Sequence, residues 1–360
     1  MVTANQTDQQ HGATALSTEF SRYDQVDKPA YHLAESADGA DAFDENFHLT
    51  TVDMSQYLHG NASDKAAFAD ELGSAMQEIG FVILQGHGVD AALINRAEDT
   101  IEEVFTEASL DDKMRYRAER HGAVSEGYFP VKETSDIHPD LVEGWVFGRR
   151  AFDLDNDSAY TPTDFWATPH VEPIFRELVE AELPLFQPIM QSVLQSLGCD
   201  PHLYDQKLTQ PNLGLRLNYY PPLDDAEQAS GAGRLLGHED VDLFTLLPAP
   251  AVDGLQALHR NGKWIRINAP AGSIVMNTGD YMQRITNDLM PSTTHRVSPP
   301  RHPDHIGKLR VSIPLAAYLR PDEILEVLPN TGEPKYDPIN VVTFHTRTTA
   351  KFYGDEYAVD

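Results

Sequence analysis

His238 and Asp240, in Gly237-His238-Glu239-Asp240-Val241-Asp242, set an imidazole and a carboxylate two residues apart. With His295, in Ser292-Thr293-Thr294-His295-Arg296-Val297, they make a set of two histidines and one carboxylate. Such a set suits one octahedral metal, typically non-haem Fe(II), and leaves three positions open for a co-substrate and dioxygen. Oxidative chemistry is the first expectation. On an extended strand residues i and i+2 point to the same face, so His238 and Asp240 can reach one metal while Glu239 turns away. Glu239 and Asp242 are expected to be outward-facing strand residues. The third ligand must then come from another strand, and His295 stands 55 residues beyond Asp240.

Two further runs offer polar groups to the same space. Arg310 and Ser312, in Arg310-Val311-Ser312, share a face of an extended segment and present a guanidinium fork and a hydroxyl to a carboxylate. A keto acid chelating the metal at one end would be gripped in this way at the other. In Leu215-Arg216-Leu217-Asn218-Tyr219-Tyr220 the alternation places Arg216, Asn218 and Tyr220 on one face, with Leu217 and Tyr219 on the opposite one. Polar residues turned inward predict a lined cavity. A lone His-x-Asp is most often a surface pair, so the ordered company of these motifs carries the argument.

The elements that must position them can be read from periodicity. Phe68, Leu72, Ala75, Met76 and Ile79 predict an amphipathic helix over 65–79, followed by a strand over 81–84. Leu93, Ile94, Ala97, Ile101, Val104 and Phe105 mark a second helix. Residues 171–197 read as helical up to Gly198, with a kink or a junction of two helices at Pro184 and Pro188. From 214 to 314 short β-rich runs alternate with Gly/Pro turns, as in a closed or sandwiched antiparallel sheet. The run Phe344-His345-Thr346-Arg347 and the aromatic residues after it read either as a tail closing a cavity mouth or as a surface helix packed on the sheet.

The motif series Asn218-Tyr219-Tyr220-Pro221, His238-Glu239-Asp240 before Leu243-Phe244-Thr245-Leu246-Leu247, Asn277-Thr278-Gly279-Asp280, His295-Arg296-Val297 and Arg310-Val311-Ser312 resembles the isopenicillin N synthase-like branch of Fe(II)/2-oxoglutarate dioxygenases. Upstream, Glu78-Ile79-Gly80-Phe81 through Gln85-Gly86-His87-Gly88 is similar to the family's amino-terminal signature, and Glu143-Gly144-Trp145-Val146-Phe147-Gly148 to its mid-region. The resemblance spans roughly residues 47–355.

It implies a mainly β fold, a double-stranded β-helix or jelly roll with flanking helices. Residues 1–46, rich in Asp, Glu, Ser, Ala and Gln without a sustained apolar period, read as an acidic, loosely ordered arm, and the remainder divides into a helix-and-strand region packed on the barrel (47–200), a catalytic core (201–325) and a segment near the mouth (326–360). The resemblance implies Fe(II), 2-oxoglutarate and O2 as cofactors and co-substrates. His238, Asp240 and His295 would be the metal ligands, Arg310 and Ser312 the partners of the distal 2-oxoglutarate carboxylate, and Asn218 and Tyr220 its helpers. The carboxylate at 240, where related halogenases carry a small residue, implies oxygenation rather than chlorination. His87 takes a structural role. His259, His302 and His305, in Gly/Pro-rich stretches, are expected to be solvated.

The expected product is an alcohol, an alkene or a new ring on a small molecule bearing a carboxylate. Arg216 is the candidate partner of that carboxylate, unless it pairs with a structural Asp or Glu. Tyr128, Phe129, Lys132, Phe147 and Arg149 are further substrate candidates, drawn from segments expected near the entrance. Two other readings remain open on the residues alone: an isopenicillin N synthase-type oxidase working without 2-oxoglutarate, and a non-oxidative jelly-roll protein holding a metal.

Composition narrows the partners. Asp and Glu number 56 against 27 Lys and Arg, a formal net charge of -29, which excludes a phosphate-binding surface of clustered cations and hence a nucleic-acid substrate. Cys199 is the only cysteine in 360 residues, so no intrachain disulfide is expected and a reducing, cytoplasmic compartment suits the chain. No run approaches the ~18 apolar residues of a membrane span. A monomer or weak homo-oligomer is expected.

Overall fold

The computed structural model describes residues 41–131, 140–155, 159–222, 234–353 and 355–359. Most of the expected arm, residues 1–40, and Lys132 lie outside these. The chain begins with β1 (Thr51–Asp53), α1 (Ser55–His59), α2 (Ala62–Ile79), β2 (Phe81–Gln85), α3 (Ala91–Thr106) and α4 (Leu110–Met114). Then come β3 (Glu119–His121), β4 (Val124–Phe129), β5 (Glu143–Phe147), α5 (Glu172–Glu182) and α6 (Phe186–Ser196). The central strands are β6 (Asn212–Tyr220), β7 (Leu235–His238), β8 (Phe244–Pro248), β9 (Leu255–Leu258), β10 (Trp264–Arg266) and β11 (Ile274–Thr278). The chain closes with α7 (Asp280–Ile285), β12 (His295–Val297), β13 (Arg310–Ser312), β14 (Leu315–Tyr318), the small pair β15 (Ile324–Leu325) and β16 (Ile339–Asn340), and α8 (Val341–Tyr353).

The local signals explain most boundaries. Asn61 caps α2 by accepting from the Ser63 and Asp64 amides at 2.8 and 3.3 Å, while Asp64 accepts from the Asn61 amide at 2.9 Å. Such a capping box contributes about 1 kcal/mol. The helix stops at Gly80, whose φ of 72° is left-handed and whose missing Cβ makes room for the Pro291 carbonyl. The expected long helix over 171–197 is two: a 3-10 turn, Leu183–Leu185, separates α5 from α6. Pro184 breaks the amide ladder there. Pro188 falls in the first turn of α6, where its amide would have had no helical partner.

Ten strands form one sheet in the order β1-β2-β11-β8-β14-β6-β5-β4-β3, with β13 also pairing with β6. Four form a second, in the order β10-β9-β12-β7. Alternation sorts the large sheet's residues. Leu213, Leu215 and Leu217 of β6, Phe244 and Leu246 of β8, and Ile274 and Met276 of β11 join the core under α2, α3, α5 and α6. Their neighbours Leu247 and Val275 turn the other way and pack with Leu255, Ala257 and Val297 of the small sheet. Each buried aliphatic or aromatic side chain here contributes about 1.5–3 kcal/mol. The two sheets therefore face each other as a double-stranded β-helix, and between them lies a cavity of about 220 Å³. No helix among the described residues is long and apolar enough to cross a membrane.

Candidate active site

The cavity is lined by His238, Asp240 and His295 together with Arg216, Asn218, Tyr220, Arg310 and Ser312. Strand pairing does most of the assembly. β12 runs antiparallel to β7 with His295 opposite His238, and their ring centroids lie 4.3 Å apart. His238 is the last residue of β7, and the chain leaves the strand before Asp240. The loop is held instead by α7: the Asp240 and Asp242 carbonyls accept the Asp280 and Tyr281 amides at 2.8 and 3.0 Å, satisfying the open end of the helix. Gly279 permits this approach, because a Cβ there would lie 2.1 Å from an Asp242 carboxylate oxygen.

Ligand atoms of His238, Asp240 and His295 lie within 4.8 Å of one another. The Asp240 carboxylate is 3.8 Å from His238 Nε2 and 3.9 Å from His295 Nε2. Each group is oriented from behind. His238 Nδ1 donates to the Leu236 carbonyl at 2.9 Å and His295 Nδ1 to the Thr293 carbonyl at 3.1 Å, which leaves both Nε2 lone pairs for a metal. Asp240 Oδ2 accepts from Thr245 Oγ1 at 2.9 Å and from Asn277 Nδ2 at 2.7 Å. Burial, with the His295 ring beside it, lowers His238 to about 4, so its imidazole is neutral. Burial alone would raise Asp240, but His295, His238 and the two hydrogen bonds hold its carboxyl below the usual range. Two imidazoles and a carboxylate fit Fe(II).

Contrary to expectation, Glu239 and Asp242 do not face outward; they are 3% and 0% exposed. The strand has ended at His238, so neither stands on a strand surface. Glu239 accepts from the Thr294 hydroxyl, and Asp242 Oδ2 meets Thr245 Oγ1 at 2.6 Å. Burial and the charge of Asp240 push Asp242 well above the carboxylate range.

On the large sheet, β13 pairs with β6 so that Arg310 stands opposite Tyr220 and Ser312 opposite Asn218. Arg310 is 2% exposed, lies over the Tyr220 ring at 4.8 Å and donates from Nε to the Val252 carbonyl at 3.2 Å. Its Nη1 is buried without a partner. A distal carboxylate would satisfy that nitrogen, so the residues present also fit 2-oxoglutarate. Asn218 donates from Nδ2 to Ser312 Oγ at 3.2 Å and accepts from Arg216 Nε at 2.8 Å. Arg216 lies 5.6 Å from the Phe129 ring and keeps Nη2 buried and unpartnered.

The entrance candidates divide by cross-strand register. In the pairing of β4, β5 and β6, Tyr128 stands opposite Trp145 and Trp145 opposite Leu217, while Phe147 stands opposite Leu215. Cross-strand partners share a face, so Tyr128 and Phe147 belong to the leucine face and not to the cavity. Tyr128 donates to Glu143 Oε2 at 2.9 Å, and Phe147 stacks on Trp166 with centroids 3.7 Å apart. Arg149 lies beyond the strand and is tied to Asp155 at 2.7 Å and to the Pro211 carbonyl at 3.1 Å. Of the four that are described, Phe129, opposite Gly144, lines the cavity.

Several cavity residues were not assigned to the site by the sequence reading, among them Asp140 and, in the run expected either at the mouth or on the surface, His345. Asp140 is 1% exposed; its Oδ1 accepts from the Leu236 amide at 2.8 Å and its Oδ2 has no partner. Burial pushes its carboxyl up to about 7, against the pull of the Leu236 amide and Arg216. The available signal was a single carboxylate before the apolar Leu141-Val142, at the edge of the mid-region motif. His345 reaches the cavity from α8, with Nδ1 2.8 Å from the Tyr281 hydroxyl, and burial lowers it to about 3. The carboxy-terminal helix is thus both packed, through Phe344 at 0% exposure, and part of the cavity wall.

Known proteins resemble this chain in sequence and in fold. Residues 49–169 match the family described as the non-haem dioxygenase in morphine synthesis N-terminal domain, and residues 211–317 match the 2OG-Fe(II) oxygenase superfamily. The chain is 28% identical over 335 residues to the 2-oxoglutarate-Fe(II) type oxidoreductase ppzC of Metarhizium majus, covering 84% of this chain and 87% of that protein. It is 30% identical over 272 residues to the 2-oxoglutarate-dependent dioxygenase citB of Monascus ruber, covering 70% and 80%. Among solved structures, Neurospora crassa T7H in complex with alpha-KG and thymine superposes with a TM-score of 0.75 at 22% identity, covering 87% of this chain and all of that one. A putative 2OG-Fe(II) oxygenase family protein of Caulobacter crescentus gives 0.67 at 28% identity, covering 82% and 96%. The chain belongs to the Fe(II)- and 2-oxoglutarate-dependent oxygenases. It is an oxidoreductase that uses Fe(II), 2-oxoglutarate and dioxygen.

Proposed function

We propose that this oxygenase oxidises a C–H bond of a small, carboxylate-bearing molecule, with His238, Asp240 and His295 holding Fe(II), Arg310 and Ser312 holding the distal carboxylate of 2-oxoglutarate, and Arg216 receiving the substrate's carboxylate. The supporting observation is a pair of guanidinium nitrogens, Arg310 Nη1 and Arg216 Nη2, each buried without a partner in residues lining one cavity. An unsatisfied buried donor costs about 1–3 kcal/mol, more when charged, so each marks a place where an acceptor is due. When bound, Fe(II) and 2-oxoglutarate supply oxygen activation coupled to decarboxylation to succinate. The chain's own residues orient and exclude. Thr245 and Asn277 fix the Asp240 carboxylate, leaving Oδ1 free of both bonds. Because Ser312 Oγ accepts from Asn218, its own proton is free to donate to a carboxylate. Asn218 also aims Arg216 through Nε.

In this reading the enzyme works in the cytoplasm as a monomer or weak homo-oligomer, with buried Cys199 as its one thiol. The test is succinate release by the iron-loaded enzyme against a panel of small carboxylates and their methyl esters. The reading expects stimulation by free acids and its loss on esterification. Equal stimulation by acid and ester removes Arg216 from substrate binding.

A further inference from the structure

Arg216 is not the only side chain with an open valence in this cavity. Asp140 Oδ2 is buried and unpartnered, as is Arg216 Nη2, and both residues line the same space. They feel each other's charge, since Arg216 pulls against the burial of Asp140, yet Arg216 bonds Asn218 and Asp140 bonds the Leu236 amide instead of each other. Two groups that could satisfy one another are thus each bonded elsewhere, Arg216 to Asn218 on its own strand and Asp140 to Leu236 of β7. Each orphaned atom costs about 1–3 kcal/mol in the free protein. A ligand carrying an acceptor and a donor would satisfy both. Val124, Val146 and Leu235 supply apolar lining for the rest of such a molecule.

We propose that Asp140 determines specificity by accepting a hydrogen bond from a nitrogen of the substrate, so that the substrate presents an N–H donor beside the carboxylate held by Arg216. The inference rests on the Arg216 reading above and adds the second half of the recognition. The donor is an ammonium, as in a free α-amino acid, or an amide N–H, as in its N-acyl form. Asp140 is suited to either. Its Oδ1 is already committed to the Leu236 amide, so the direction of Oδ2 is fixed before the ligand arrives.

The experiment uses the full chain loaded with Fe(II) and 2-oxoglutarate. Standard α-amino acids are each compared with the N-acetyl derivative and with the deamino acid that keeps the carboxylate and has hydrogen in place of nitrogen. Ligand-induced rise in thermal midpoint and stimulated succinate release are both read. At least one donor-bearing compound is expected to bind tenfold or more tightly than its deamino partner; whether the free or the acetylated form leads identifies the donor. Asp140→Asn keeps an acceptor for the Leu236 amide but places an NH2 where the second oxygen was. In this variant the preference should collapse or reverse, with the KM of the donor-bearing compound rising tenfold or more. If no donor-bearing compound outperforms its deamino partner in the native enzyme, the proposal is overturned. It is equally overturned if Asp140→Asn lowers the thermal midpoint and leaves the ranking unchanged, which would make the carboxyl a buttress of β7. Arg216→Ala is the separate arm: unchanged binding of every carboxylate there sinks the Arg216 reading, whatever Asp140 does.

Discussion

The two walls of the cavity are built on different plans. At the candidate metal end, each proposed ligand is already bonded to a neighbouring group: His238 to Leu236, His295 to Thr293, Asp240 to Thr245 and Asn277. At the other wall Arg216 and Asp140 are each tied at one atom and left open at another. The difference separates two tasks. Iron stays in place from one turnover to the next, so its ligands gain from complete preorganisation, whereas Arg310, whose keto acid is consumed, keeps an open nitrogen as Arg216 does. A substrate must enter, be recognised and leave, so its partners keep unmet bonding capacity that only the right molecule fills.

Substitution should expose that contrast, beginning with the largest effect. We predict that His238→Ala or His295→Ala abolishes turnover through loss of iron with the fold intact; iron content and thermal midpoint measured together check it, and near-normal activity in either variant would remove the residue from the metal site. Arg216→Ala should raise the substrate KM by about 30-fold or more, since losing one member of a charged pair costs on the order of 2–5 kcal/mol, and should leave the KM for 2-oxoglutarate nearly unchanged. Equal damage to both constants would assign Arg216 to architecture, with Asn218 transmitting the disturbance to Ser312.

Arg310→Lys is expected to be milder. A single ammonium cannot reproduce a guanidinium fork on a carboxylate, and 2-oxoglutarate binding should weaken about tenfold, roughly 1.4 kcal/mol, with iron affinity retained. Titration of 2-oxoglutarate into the iron-loaded variant measures this. Full-rate substrate consumption by the native enzyme without 2-oxoglutarate would contradict the cofactor itself. The smallest effect on recognition should come from Phe147→Ala. Phe147 stacks between Trp145 and Trp166, with centroids 5.6 and 3.7 Å away, so its loss should destabilise the fold by about 3–5 kcal/mol in chemical denaturation and leave the KM of the folded enzyme unchanged. A selective rise in substrate KM with no loss of stability would put Phe147 back at the entrance.

Much of the catalytic end was readable from one strand at a time. The alternation of Arg216, Asn218 and Tyr220 against Leu215 and Leu217 survives intact, because β6 is extended through its nine residues and its faces meet a cavity on one side and helices on the other. The entrance was not readable in that way. Tyr128, Phe129 and Phe147 belong to segments correctly associated with the region, but which of them reaches the cavity depends on register against β6, and a one-residue change in register exchanges the faces. Glu239 and Asp242 were misplaced for a related reason: both are expected on a strand surface, and β7 ends at His238.

The sequence by itself determined the candidate ligand set, the candidate pair Arg310 and Ser312, the existence of the helices that span Ala62–Ile79 and Ala91–Thr106, and the division of β6 into a polar and an apolar face. These are properties of short-range period and residue chemistry. Only the tertiary structure decided that Asp140 and His345 enter the same cavity as Arg216, and that Arg216 and Asp140 are each bonded elsewhere. Asp140 lies between a bond to β7 and the field of a residue on β6, and His345 arrives on the last helix. Contacts between residues so distant in the chain follow from how the two sheets close on each other, a relation that no local pattern encodes.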